Sequence, residues 1–362
     1  MAKKIFIAAT GQNCGKTTMS ISLMHLARRK YDRVGFIKPI GPKIERYGKL
    51  KLDMDAVLMA KIYGLENDIE LMNPVPLTRG FTRDFLDGKI DGRLLSENIV
   101  RSVAELERKY DLLIIEGAGH GGVGAVIGLS NAYVASLVKA PVMIVSGSGI
   151  GSVIDSVQLN LALYERERAD VRLIMTNKLI AEKRDETLKY LKRAFNYSLE
   201  LSGGFNYSTI LANPTLSHIS KLLNLPLHGD PDVRNRIIND IQLGAASSQK
   251  VVDNLLDSTL LIVTSSRDEL IVTLSSLYHI PEWKEKIAGI VIAGHATVSL
   301  ISQQILDESG IPYIRIEETT ANVFTALTED VSKITAEDQE KLAWIHANAE
   351  HDIDFEMIDR IF

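Results

Sequence analysis

The chain has 362 residues, 46% hydrophobic and 24% charged, with a formal net charge of −5. That length suffices for two domains with cores of their own, and the mildly acidic balance gives no reason to expect nucleic acid or an anionic membrane as a partner. A single cysteine, Cys14, excludes an intramolecular disulfide and fits a reducing compartment such as the cytoplasm. The N-terminal apolar run is too short for a secretory signal, and the longest uncharged stretch, 117–138, is too rich in glycine and polar residues for a lipid-facing helix.

Short β-branched runs then alternate with longer amphipathic stretches. Strands are expected at "KIFIAAT", "RVGFIKPI", "DLLIIEG", "APVMIVSG" and "VRLIMTNK". Helices fit near 15–29, 94–109, 130–138, 151–167 and 181–195. The strands are apolar on both faces, so the expected fold class is α/β, a mostly parallel sheet with helices on both faces and right-handed crossovers. "FNYSLELSGGFNYS" reads as a loop over this first domain. A second, smaller α/β unit is expected to begin near residue 211: "NPTLSHISKLLNLPL" reads as a helix after a proline entry, and "TLLIVTSS", "IAGIVIAGH" and "IPYIRIEET" repeat the strand pattern. "LDESGIPYI" is a helix end, a glycine stop and a new strand. The expected domains are 1–215, 216–330 and an acidic helical appendage over 331–362.

The stretch "AATGQNCGKTTMS" places Gly-Lys-Thr-Thr between a strand and a helix. In a phosphate loop, backbone N–H groups converge on the phosphates and the helix N-terminus adds favourable partial charge. The lysine then reaches the terminal phosphates and the next hydroxyl binds Mg²⁺. Gly11, Asn13, Cys14, Gly15, Lys16, Thr17 and Thr18 are therefore expected at a nucleotide. The strict pattern requires a glycine five residues before Gly15. That position is Thr10, and the glycine is displaced to Gly11. The alternative is a glycine-rich turn with an exposed lysine.

The remaining site residues are expected at the carboxyl ends of the strands. "IKPIG" offers Lys38 to an anionic substrate or a phosphate, unless it is a surface lysine before a turn. "LDMDA" offers Asp53 and Asp55, either as Mg²⁺ ligands or as acidic caps of an exposed helix start. Glu116 ends a buried strand in "IIEGAGHGG", where a carboxylate needs a cation or strong donors. His120 follows, either as a donor to substrate or as a structural loop residue. "SGSGIGS" imitates a dinucleotide fingerprint with the wrong spacing and reads as a tight turn. Asn177, followed by Lys178, could read an adenine edge or cap a loop.

Taken together, "ATGQNCGKTT", "FIKPIG", "DMDA", "IIEGAGHGG" and "MTNK" resemble the dethiobiotin synthetase family and its relatives, the amidoligases of cobyrinic acid type, over roughly residues 1–215. The resemblance implies a P-loop NTPase-like fold with ATP and Mg²⁺ as cofactors. It implies Lys16 and Thr17 at the phosphates, Thr17, Asp55 and Glu116 at the metal, Lys38 near an acceptor carboxylate or phosphate, and Asn177 at the base. Lys16 and Lys38 are the implied catalytic residues. It also implies a homodimer.

Residues 216–330 resemble a DRTGG domain, as in the N-terminal regulatory part of long bacterial phosphotransacetylases. The match rests on "LGAASSQKVVDNL", "LLIVTSSRDELIVTLSS", "IAGIVIAGHATVS" and "GIPYIRIEETT". The signature itself is degraded to Ser266-Arg267-Asp268 and Ala293-Gly294. The acetyltransferase domain is not among these residues, and no acetyltransferase activity is expected of them. Asn13 stands where dethiobiotin synthetases carry an acidic residue, and "KPIGPKIER" lacks their small hydroxyl residue after "KP", so diaminopelargonate is not the expected substrate. The leading expectation is a Mg·ATP-binding regulatory or sensor protein. The alternatives are an ATP-dependent ligase forming an acyl-phosphate or carbamoyl-phosphate type intermediate on a small metabolite, and a nucleotide-independent interaction module.

Overall fold

The run KKIFIAA forms β1 (Lys3–Ala9), in which Ile5 to Ala9 have no exposed surface. A strand this apolar is stable only where helices cover both faces. A computed structural model describes residues 2–195 and 199–362, which form two compact units, 1–208 with 342–362, and 209–341.

In the first unit, β1 is followed by α1 (Lys16–Ala27), β2 (Val34–Ile37), α2 (Met54–Tyr63), α3 (Gly92–Lys109) and β3 (Leu112–His120). Then come α4 (Asn131–Leu137), β4 (Val142–Ser146), α5 (Ile150–Arg166), β5 (Val171–Thr176), α6 (Arg184–Phe195) and β6 (Glu200–Gly203). The six strands pair in parallel in the order β6-β5-β4-β1-β3-β2. Period-2 alternation sends Phe6 and Ala8 to one face, where they join Leu113, Ile115, Val142 and Ile144 under Ile99, Val103 and Leu106 of α3. Val157 of α5 and Leu191 of α6 pack with Ile174 and Leu201 further along the sheet. α1 is apolar around most of its circumference and correspondingly buried. This is the mostly parallel, helix-flanked sheet of P-loop NTPases, accompanied by a further α/β region.

Several local expectations need correction. Residues 200–203 of the segment read as a loop form β6, paired with β5 from Glu200↔Leu173 to Gly203↔Thr176; 196–198 lie outside the described residues. The expected helix 181–195 divides into a 3₁₀ turn, Ala181–Lys183, and α6. "IERYGKLKLD" forms an antiparallel hairpin, Ile44–Tyr47 against Leu50–Asp53, that leads into α2.

The second unit carries α7 (Leu216–Leu223), β7 (Asp240–Leu243), β8 (Thr259–Thr264), α8 (Asp268–Leu277), β9 (Ile287–Ala293), α9 (Leu300–Ser309), β10 (Tyr313–Ile316) and α10 (Thr320–Glu329). Its four strands are parallel and in sequence order. Leu261 and Val263 face a core with Leu270 and Leu274 of α8, while Leu260 and Ile262 face one with Leu216 and Ile219 of α7. Thr215 caps α7 and bridges Ile237, which draws 209–215 into this unit. The chain ends with α11 (Gln339–Asp352) and α12 (Phe355–Ile361).

Residues 342–362 pack with the first unit. His346 stacks on His25 of α1 at 4.2 Å, and Trp344 meets Phe205 edge-on at 5.5 Å. The Asp359 carboxylate is 2.7 Å from Lys3 and accepts from the Tyr31 hydroxyl at 2.6 Å. Among the described residues, no helix is long and apolar enough to cross a membrane.

Candidate functional site

β1 ends where the Thr10 amide donates to Val145 O of β4 at 3.0 Å, and the loop from Gly11 to Gly15 then lies at the carboxyl edge of the sheet. The strand order changes direction at β1, with β4 on one side and β3 on the other, which opens a crevice at this point. Asn13 (φ 58) and Gly15 (φ 91) are left-handed, a backbone arrangement that turns successive N–H groups to one side. Asparagine tolerates this region and glycine is suited to it. Gly15 caps α1 with no side-chain hydrogen bond, so the first amides of the helix remain available to an anion. A Cβ on Gly11 would meet only Cys14 Sγ, at 3.9 Å. Packing thus does not require a glycine at position 11.

Asn177 braces this loop from behind. It is 3% exposed, donates to Cys14 O at 3.1 Å and accepts from Phe205 N at 2.9 Å. A Cβ on Gly15 would overlap its Nδ2. Both polar ends of the Asn177 side chain are therefore engaged in holding the loop.

The chemistry gathers on the other side of the loop. Lys16 Nζ donates to Gly119 O at 3.1 Å, and Thr18 continues the first turn of α1. Thr17 Oγ1 lies 3.4 Å from Asp55 Oδ1 and 3.3 Å from Glu116 Oε1. Glu116 is fully buried at the point where the β1–β3 register shifts. Its second oxygen accepts from Ser20 Oγ at 2.6 Å. Lys38, 3% exposed rather than at the surface, places Nζ 2.6 Å from Asp55 Oδ2 and 2.7 Å from Glu116 Oε1.

The structure thus brings Thr17, Lys38, Asp55 and Glu116 into contact, with Lys16 on the Gly119 carbonyl. Ser20 escaped sequence reasoning, although a polar residue four after Lys16 shares that face of the helix. Asp53 takes a different position from the metal role considered for it. It caps α2 by accepting from Asp55 N and Lys43 N, both at 3.0 Å. Its amide donates to Asn73, whose side chain also holds Lys38 O at 2.8 Å. His120 is exposed, and its Nδ1 accepts from Gly122 N at 3.2 Å.

Charge follows this geometry. Burial pulls the Lys16 ammonium pKa down, as does Lys38, while Glu116 and Asp55 oppose the shift. Burial would lower Lys38 as well, but Asp55, Glu116 and Asp53 together raise it above an ordinary lysine. Burial pushes Asp53 up to about 6, aided by the neighbouring Asp55 charge and opposed by Lys38.

Among the described residues, no group of three or more His, Cys, Asp or Glu side chains could hold a metal ion. Two carboxylates and a hydroxyl are instead the partial oxygen set that Mg²⁺ completes with phosphate oxygens and water. The residues present fit a Mg·nucleotide.

A family model described as AAA domain matches residues 3–226. The phosphate acetyltransferase of Nitratidesulfovibrio vulgaris is 24% identical over 372 residues, covering 98% of this chain and 51% of that protein. The ATP-dependent dethiobiotin synthetase BioD of Methanocaldococcus jannaschii is 31% identical over 119 residues, 32% of this chain and 52% of that protein. Among solved structures, cobyrinic acid a,c-diamide synthase from Mycobacterium smegmatis with bound ADP and magnesium is similar over 57% of this chain and 87% of that chain, at 16% identity and a TM-score of 0.40. The chain spans about half the length of the curated relatives it matches.

Proposed function

The chain belongs to this AAA domain family, and on that premise we propose that it is a Mg·ATP-binding regulatory protein of the cytoplasm. The observation that carries this reading is the meeting of Thr17, Asp55 and Glu116 beside a left-handed Gly15 at the start of α1. In this reading the amides of Gly11, Asn13, Cys14, Gly15 and Thr18 cradle phosphates, and Lys16 leaves Gly119 O to meet the terminal ones. Mg²⁺, when bound, supplies charge neutralisation on the phosphate oxygens. Thr17, Asp55 and Glu116 hold it, and Ser20 orients Glu116. Asn177 keeps the loop in shape and borders the base. Residues 216–330 serve as a DRTGG-like regulatory domain, and the chain works as a homodimer, which sedimentation of the purified protein tests.

A ligand that binds only the folded state raises apparent stability. Mg·ATP is therefore expected to raise the melting temperature of the wild type and to leave Lys16→Ala unmoved. A wild type that melts at the same temperature with and without millimolar Mg·ATP would overturn the reading.

A second reading is favoured by one observation, the convergence of Lys38 on the same carboxylates. Two lysines beside a phosphoryl group suit an ATP-dependent ligase acting on a small carboxylate, amine or amide, with catalysis by positioning and charge. It requires ADP release that depends on Lys16 and is stimulated by a fraction of a metabolite extract. Release unchanged by every fraction leaves the regulatory reading in place.

A further inference from the structure

The Lys38 ammonium occupies the place where the carboxylates of a metal site need a cation. Asp55 and Glu116 are 8% and 0% exposed, and Lys38 Nζ touches one oxygen of each. The Thr17 hydroxyl reaches the same two carboxylates. Buried carboxylates without a counter-charge are costly, so a cation here stabilises the fold whether or not a metal is present. The lysine backbone is fixed, since its N–H donates to Met72 O at 2.7 Å and its C=O accepts from Asn73. Any displacement of the ammonium must therefore come from rotation about the four-carbon stem, and a lysine head is a compact point charge on such a stem.

A divalent ion and this ammonium cannot both sit on the same oxygens. They are like charges, and Glu116 Oε1 already takes both Lys38 Nζ and the Thr17 hydroxyl, so a metal ion on that oxygen must displace the ammonium. We propose that Lys38 is an intramolecular placeholder for the divalent ion. It neutralises Asp55 and Glu116 in the metal-free protein, gives them up when the metal arrives, and is thereby released into the crevice only in the loaded state. The proposal rests on the nucleotide reading above and deepens it. It makes Lys38 report occupancy of the site to whatever anion lies beyond the terminal phosphate, an acceptor carboxylate included. Lys16 does not fill this role, because its ammonium rests on a backbone carbonyl.

The probe is Mn²⁺, with free ion measured by electron paramagnetic resonance on the full chain without nucleotide. Lys38→Met keeps the length of the stem and removes the charge. It is expected to bind Mn²⁺ at least tenfold more tightly than the wild type, and to gain more melting temperature from Mn²⁺. Equal or weaker binding overturns the proposal. Should Lys38→Met fold only when refolded with Mn²⁺, that dependence is itself the expected result. Should it fold under neither condition, Lys38→Arg decides. A guanidinium held by both carboxylates is expected to weaken Mn²⁺ binding severalfold, and unchanged affinity overturns the proposal. ADP retention by the wild type in Mg²⁺ is measured alongside. Its failure counts against the nucleotide reading alone, because the Mn²⁺ comparison is made without nucleotide.

Discussion

Alanine at Gly15 meets two obstacles at once. The residue sits at φ 91°, where an L side chain costs roughly 1–2 kcal/mol. The new Cβ would also overlap Asn177 Nδ2. Relief requires the Asn177 amide to move, away from Cys14 O at 3.1 Å and Phe205 N at 2.9 Å. Two buried hydrogen bonds at about 1 kcal/mol each bring the expected loss to roughly 3–4 kcal/mol, a large share of an ordinary domain's stability. Gly11→Ala is the control, with no left-handed φ and only Cys14 Sγ nearby, at 3.9 Å. It is expected to fall within about 1 kcal/mol of the wild type. The chain has two tryptophans, and with Trp283 replaced by phenylalanine, Trp344 fluorescence follows the first unit through urea unfolding. Equal urea midpoints for the two alanine variants would refute the reasoning, and no ligand is needed to see it.

Ser20→Ala removes the donor to Glu116 Oε2, in a pair whose members are both fully buried. The expected loss is about 1–3 kcal/mol in the same urea assay, and a change below about 0.5 kcal/mol would mean that Glu116 finds another donor. Asp359→Asn bears on acid stability. Burial alone would raise the Asp359 pKa, but hydrogen bonds from Lys3, Tyr31 and Lys30 hold it at about 2. Its folded pKa is thus below the unfolded value of about 3.9, so its contribution is present above that pH and lost as pH falls toward 2. The variant should flatten the pH dependence of melting between about 4 and 2, and parallel slopes would place the acid sensitivity elsewhere.

Much of this was legible because it is local. The apolar runs at β1, β3, β4 and β5 announce buried strands, and Gly-Lys-Thr between strand and helix announces the loop. Glu116 could be placed because it ends a parallel strand, whereas the grouping of Thr17, Asp55 and Glu116 came from the family resemblance, since Asp55 follows an antiparallel hairpin. What escaped is what only pairing creates. "ELSG" has no β-branched residue and becomes a strand only beside β5. The hairpin 44–53 is largely polar, and its turn depends on Gly48 at φ 58°. The engagement of Asn177 behind the phosphate loop, and the bridging of two carboxylates by Lys38, depend on side-chain directions that spacing does not fix. The docking of 342–362 joins residues more than 300 positions apart, as Lys3 and Asp359 are, and such pairs leave no periodic trace.

That last pairing bears on the order of events during synthesis. Loop closure between the first strand and α12 must wait until Asp359 has been made, long after β1, α1 and the phosphate loop have emerged. Until then α1 lacks its cover of His346, and Lys3 lacks its carboxylate. The intervening residues 209–341 can meanwhile fold as a unit of their own. Completion of the first unit is therefore a long-range step by topology, and residues 1–341 alone leave the surface of α1 that His346 covers bare and Lys3 without Asp359.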